Sequence, residues 1–188
     1  MKKVRRRLFY FILLLILFGV VYFLSNSIDI SSITPQTKTP GTSYVSDSGT
    51  IQPYFCPQDD CETALVAFMD SAQQSLHCAL FEVELESVKE KLLQKQKTID
   101  VKIVTDNDYL SQFNYSFVKA DSWGLMHNKF CIVDGKKVST GSMNPTLNDA
   151  HKNNNNLLLI ESSVLAQNYK DEFQEMWNGT FKKGNLVN

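Results

Sequence analysis

The sequence predicts an α/β domain built on a mixed β-sheet and preceded by one transmembrane helix. Three observations carry this. From residue 50 onward, short apolar strands alternate with amphipathic helical stretches. The segment KFCIVDGKKVSTG has the pattern of a hairpin, an apolar strand and a second strand joined by Asp-Gly. Ahead of both, an uncharged apolar run follows a cluster of cations.

That run, Leu8 to Leu24, contains 17 residues without a charge. As a helix it spans roughly 25 Å, near the short limit for a bilayer core. It is apolar on every face, which argues against a buried soluble helix. Residues 1–7 hold all three arginines of the chain with Lys2 and Lys3, and the far flank SNSIDISS holds no cation. The positive-inside rule keeps residues 1–7 in the cytoplasm and exports the rest, giving a single-pass protein of the cell membrane with an extracytoplasmic domain. The rival reading, a cleaved signal peptide, lacks a small-residue cleavage site close behind the run. Residues 25–48 are rich in Ser, Thr, Pro and Gly and read as a flexible stalk. The domain then occupies residues 49–188.

TIQPYF (50–55) is expected as a strand. Asp59 or Asp60 caps a helix carrying Leu65, Phe68, Met69 and Ala72. SLHCALFEV (75–83) reads as an apolar strand, and Leu85, Val88 and Leu92 mark a second helix. DVKIVTD (100–106) alternates as a strand does. After an irregular stretch come the hairpin, an Asn-rich tract at 153–156 and the strand LLLIE. Leu165, Tyr169, Phe173 and Trp177, four apart, give a final helix a core-facing stripe.

Past the five N-terminal cations, fourteen lysines face twenty acids, a balance of about −6. This excludes the basic groove that grips long nucleic acids nonspecifically. Any polyanion must be held locally, by few lysines. An exported domain with four cysteines permits disulfides. Cys56 and Cys61 flank a short turn and are a candidate pair. Cys78 and Cys131 are expected to pack in strand cores, and the grouping of Cys56, Cys61, His77 and Cys78 fits no standard zinc spacing.

The chemistry lies in MHNKFCIVDGKKVSTGSMNPT, which sets His127, Lys129, Asp134, Gly141, Ser142 and Asn144 in the order H-x-K-x4-D-x6-G-S-x-N. On a strand, His127 and Lys129 share a face, placing a nucleophile beside a fixed cation. Ser142 and Asn144, also two apart, add donors for a phosphate. Gly141 permits a close backbone approach to a ligand. Asp134 opens the Asp-Gly turn, so a structural role stands beside a catalytic one.

This pattern resembles the HKD signature of the phospholipase D superfamily, over about residues 50–180. The single motif and small size look most like its compact nuclease-like branch. The resemblance implies a phospholipase-D-like mixed sheet flanked by helices and a metal-independent phosphodiesterase without cofactors. His127 would attack phosphorus, forming a phosphohistidine, while Lys129, Asn144 and Ser142 hold the phosphate. A second histidine would protonate the leaving oxygen. Neither His77, with apolar neighbours, nor His151, in a polar loop, has Lys at +2. The resemblance therefore implies a homodimer in which two copies of His127 complete one site. Many relatives carry a glutamate that orients the histidine where this chain has Asn155; Asn155 itself or Glu82 is the candidate replacement. Nucleic acid is the expected substrate. A phospholipid phosphodiesterase or phosphatidyl transferase would use the same chemistry, and a catalytically silent binding domain is the reading from another class.

Overall fold

The computed structural model describes residues 46–113, 115–121 and 124–179. The expected membrane span, residues 8–24, lies outside them; among the described residues no helix is long and apolar enough to cross a membrane.

Seven strands form one sheet: β1 (Thr50–Cys56), β2 (Ser75–Leu80), β3 (Asp100–Asp106), β4 (Val118–Asp121), β5 (Lys129–Val133), β6 (Lys137–Gly141) and β7 (Asn155–Glu161). Their order is β1-β7-β6-β5-β2-β3-β4. The pairs β2·β3 and β3·β4 are parallel and the others antiparallel, so the sheet is mixed, as expected. The helices are α1 (Cys61–Asp70), α2 (Glu86–Lys95), α3 (Leu147–His151) and α4 (Ser163–Trp177), with a 3-10 turn at Asn107–Gln112.

Alternation along the strands supplies two cores. Leu76, Cys78, Leu80, Cys131 and Val133 face one side with Leu65, Met69, Val88 and Leu92 of α1 and α2. Ala79, Phe130, Ile132 and Val138 face the other, under Ala166, Phe173 and Met176 of α4. Of the stripe on α4, Phe173 is buried, Tyr169 and Trp177 are half-buried against this core, and Leu165 stands outside it. Asp60 caps α1, its carboxylate accepting from the Thr63 N–H at 3.1 Å. β4 and α3 have no counterpart in the sequence reading; four and five residues are too short to show a period. β2 ends at Leu80, not at residue 83, because the chain bends at Phe81.

His77 is buried as expected, stacked on Phe173 at 5.1 Å with its Nε2 2.9 Å from Asp100. Burial, opposed by Asp100, moves the imidazole below its ordinary pKa. His151 lies in α3 and not in a loop, and it pairs with Glu62 of α1 at 2.7 Å.

Cys56 and Cys61, the candidate pair, form a disulfide. Cys78 and Cys131 correct the reading of plain core packing. They are fully buried but also bonded to each other. They sit directly opposite in the antiparallel β2·β5 ladder, a proximity that sequence spacing does not reveal.

Asp134 also needs correction as a catalytic candidate. It lies at the far end of β5 from Lys129, five residues or roughly 16 Å away along an extended strand. Asp134 and Gly135 both have positive φ, 53° and 62°, and Lys136 N–H donates to Val133 O at 3.0 Å. This is the two-residue primed turn that suits a twisted hairpin. The Asp134 carboxylate accepts from the N–H groups of Gln73, Gln74 and Ser75 at 2.7–3.2 Å, docking the hairpin onto the start of β2. Burial raises its pKa, but those three donors and Lys136 outweigh it, and the carboxyl sits below the ordinary aspartate value.

Asp134→Ala is expected to cost about 2 kcal/mol in denaturant titrations at neutral pH. Because the folded pKa is depressed, that contribution is complete above the unfolded value of about 3.9 and fades as pH falls through the lower folded value. The gap between wild type and variant should therefore narrow as pH falls below the unfolded value; a constant gap would contradict this account. Thiol titration of the unfolded, unreduced protein should find no free cysteine.

Candidate active site

The motif residues meet where strand ends converge. β5 starts at Lys129, β6 ends at Gly141 and β7 starts at Asn155. Pairing of Phe130 with Thr140, and of Gly141 with Leu157, sets these ends side by side. His127 precedes β5, Ser142 follows β6, and Asn144 stands two residues on.

Asp106, the buried last residue of β3, positions the entry to His127. One carboxylate oxygen accepts from the Met126 N–H at 2.9 Å and the other from the Asp108 N–H at 3.0 Å. His127 is exposed. Its ring meets Phe81 edge to face, centroids 4.7 Å apart, and Phe81 in turn packs against Tyr109 at 4.6 Å. No described residue is hydrogen-bonded to the imidazole. Thr105 Oγ1, donating to Phe81 O at 3.1 Å, steadies the backbone of this aromatic platform.

The Lys129 ammonium donates to His127 O at 3.0 Å and lies 5.1 Å above the Phe81 ring. Burial lowers its pKa; Asp149 and then Glu82 pull it back up. The cation is thus partly desolvated and strengthened toward an incoming anion.

Gly141, at φ 154°, is used differently from the expectation. A Cβ there would overlap the carbonyl oxygen of Asn156, so the missing side chain admits β7 and not a ligand. The Ser142 hydroxyl lies 3.0 Å from Asn155 Oδ1 and 2.8 Å from Asn156 Oδ1, and accepts from the Asn156 N–H at 3.0 Å. One hydroxyl proton serves only one of the two amides at a time. Asn155 is therefore turned to Ser142 and not to His127.

Glu82 lies past the end of β2 and is not hydrogen-bonded to His127 either. Burial first, then Glu84 and Asp149, raise its pKa, opposed by Gln112 and Lys129. Neither candidate orients the imidazole by a hydrogen bond; Phe81 supplies the ring contact.

Asn144 is fixed by Asp149, which the sequence reading did not single out. Its backbone N–H and its side-chain Nδ2 both donate to Asp149 Oδ2, each at 2.9 Å. Its Oδ1 is buried without a partner, a condition costing about 1–3 kcal/mol. Among the described residues no group of His, Cys, Asp and Glu is arranged to hold a metal ion.

The family model described as "Cardiolipin synthase, PLD-like domain" matches residues 65–177. The mitochondrial cardiolipin hydrolase of Xenopus tropicalis is 32% identical over 136 residues, covering 65% of each chain. The phospholipase D of Rickettsia typhi is 30% identical over 126 residues, covering 61% of this chain and 62% of its own. The chain thus spans a little under two thirds of the length of these curated relatives. Among solved structures, the phospholipase D family member Nuc from Salmonella typhimurium shares the fold with a TM-score of 0.62 at 24% identity, covering 69% of this chain and 95% of its own. With a family match over more than half its length and the motif residues gathered at one end of a mixed sheet, the chain belongs to the PLD-like domain family of the phospholipase D superfamily.

Proposed function

We propose that this protein is a metal-independent endonuclease that cleaves phosphodiesters through a phosphohistidine at His127. The observation that carries the reading is the meeting of His127, Lys129, Ser142 and Asn144, spread over 18 residues, at one sheet end. An imidazole nitrogen attacks phosphorus and the bond to the leaving oxygen breaks. His127 of the partner subunit protonates that oxygen, then takes a proton from the water that breaks the phosphorus–nitrogen bond. Lys129, Ser142 and Asn144 hold the phosphate oxygens. His77 and His151 are committed to Asp100 and Glu62, which supports a homodimer as the source of the second imidazole.

A polymeric substrate suits an open site. His127 is exposed. Phe81 and Tyr109 beside His127 offer stacking faces for unpaired bases. A phospholipid substrate is the second reading. Leu125, Leu147 and Phe55 flank the motif 65%, 59% and 58% exposed, and relatives bear the names cardiolipin hydrolase and phospholipase D. In either case residues 8–24 anchor the protein, with the domain outside the cytoplasm. Two disulfides suit that oxidising side.

Full-length protein in detergent, assayed with EDTA on labelled single-stranded DNA, RNA and phospholipid vesicles, should cleave nucleic acid. His127→Ala should lower the rate by on the order of a thousandfold or more. Turnover of lipid alone would transfer the assignment to the second reading, and loss of all wild-type activity to EDTA would remove the metal-free mechanism. Sedimentation should find a dimer; a fully active monomer would contradict the shared site.

A further inference from the structure

We propose that Asp149 is a positioning residue for this reaction, setting Asn144 and supporting Lys129 from α3. The inference rests on the phosphodiesterase reading above. It supplies the carboxylate that the Asn tract of β7 lacks.

The geometry is specific. Both Asp149 oxygens are engaged: Oδ2 by the N–H and Nδ2 of Asn144, Oδ1 by Asn153 Nδ2 at 2.8 Å. Its own N–H donates to Oγ1 of the buried Thr146 at 3.2 Å, and Asn155 Nδ2 reaches its carbonyl oxygen at 3.4 Å. One acid thereby fixes the last residue of the motif and both Asn153 and Asn155 of the tract. The unpartnered Asn144 Oδ1 shows the lock. An amide free to turn would exchange its oxygen and nitrogen to relieve a buried acceptor. Here that exchange would set Oδ1 against the Asp149 carboxylate. Asp149 thus dictates which edge of the Asn144 amide remains for a phosphate or a donor on the substrate. The charge also reaches Lys129. Of the acids facing that ammonium, Asp149 on α3 acts most strongly and Glu82 past β2 next; both favour its charged form against burial.

Electrostatics alone and positioning predict opposite signs. A carboxylate near an anion site repels the anion, so its removal by itself tightens binding. If Asp149 positions the grip, removal weakens it. The test uses full-length wild type, Asp149→Asn and Asp149→Glu, with inorganic phosphate titrated calorimetrically and bis(p-nitrophenyl) phosphate as a generic substrate. Asp149→Asn should weaken phosphate binding about threefold to tenfold and lower kcat at least about tenfold. The alkaline fall of its rate should begin at lower pH, because Lys129 then has only Glu82 opposing burial. Asp149→Glu keeps the charge and misplaces it, so kcat should fall while the alkaline limb stays. It serves alone if the Asn variant melts below the assay temperature.

Phosphate bound as well or better by both variants, with wild-type kcat, would overturn the proposal. Wild type inert toward every phosphodiester, with phosphate binding ranked as expected, would sink the enzymatic reading and leave the positioning role of Asp149 standing. Wild type that binds no phosphate counts against both.

Discussion

The Asp134–Gly135 turn is the constraint from which the site follows, although it lies at the other end of the sheet. A primed two-residue turn admits one register for β5 and β6. That register pairs Phe130 with Thr140 and brings the start of β5 level with the end of β6. A slip of one residue would turn Lys129 to the opposite face and bury it under α4. The same aspartate ties the turn to Gln73, Gln74 and Ser75, so the hairpin is fixed against β2 as well as within itself. The buried Cys78–Cys131 bond joins β2 and β5 midway. What surrounds His127 is thus determined by contacts that never touch it.

The electrostatics are unusual for a site proposed to hold phosphate. One lysine stands among Glu82, Glu84 and Asp149, and the domain as a whole is acidic. Binding cannot rely on long-range attraction. It depends on short, directed contacts from a desolvated ammonium and oriented amides, whose strength falls steeply if they are misplaced. The asparagines make sense in this setting. They add donors without adding charge, and Asn144, Asn153 and Asn155 are all held by hydrogen bonds to Asp149.

The sheet, its main helices and the convergence of the motif were legible in the sequence because each rests on a period or a spacing. Alternation in 100–106 and the apolar run with its Asp-Gly turn in 129–141 gave the strands, and fourfold spacing from Leu165 to Trp177 gave α4. What escaped was what only folding creates. Cys78 and Cys131 are 53 residues apart, and nothing local announces that they face each other. Asp149 sat in the polar stretch LNDAHK, too short for a helical pattern, and Phe81 looked like one more apolar strand residue. Asp134 carried two readings, and the fold supports the structural one. Its place in a known motif suggested chemistry, while its neighbour Gly135 already stated its structural work. The glutamate expected near residue 155 has no direct replacement on the imidazole. Its negative charge enters from another element and acts on another residue of the motif.

The register of β1 has a mechanical consequence. Thr50 pairs with Glu161 at the turn end of the sheet, and Cys56 pairs with Asn155 beside the motif. The polypeptide therefore joins the domain at the pole remote from His127, with the length of β1, on the order of 20 Å, in between. Tension arriving from the N-terminal side would pull on the first rungs of β1·β7 and leave the His127 end unloaded.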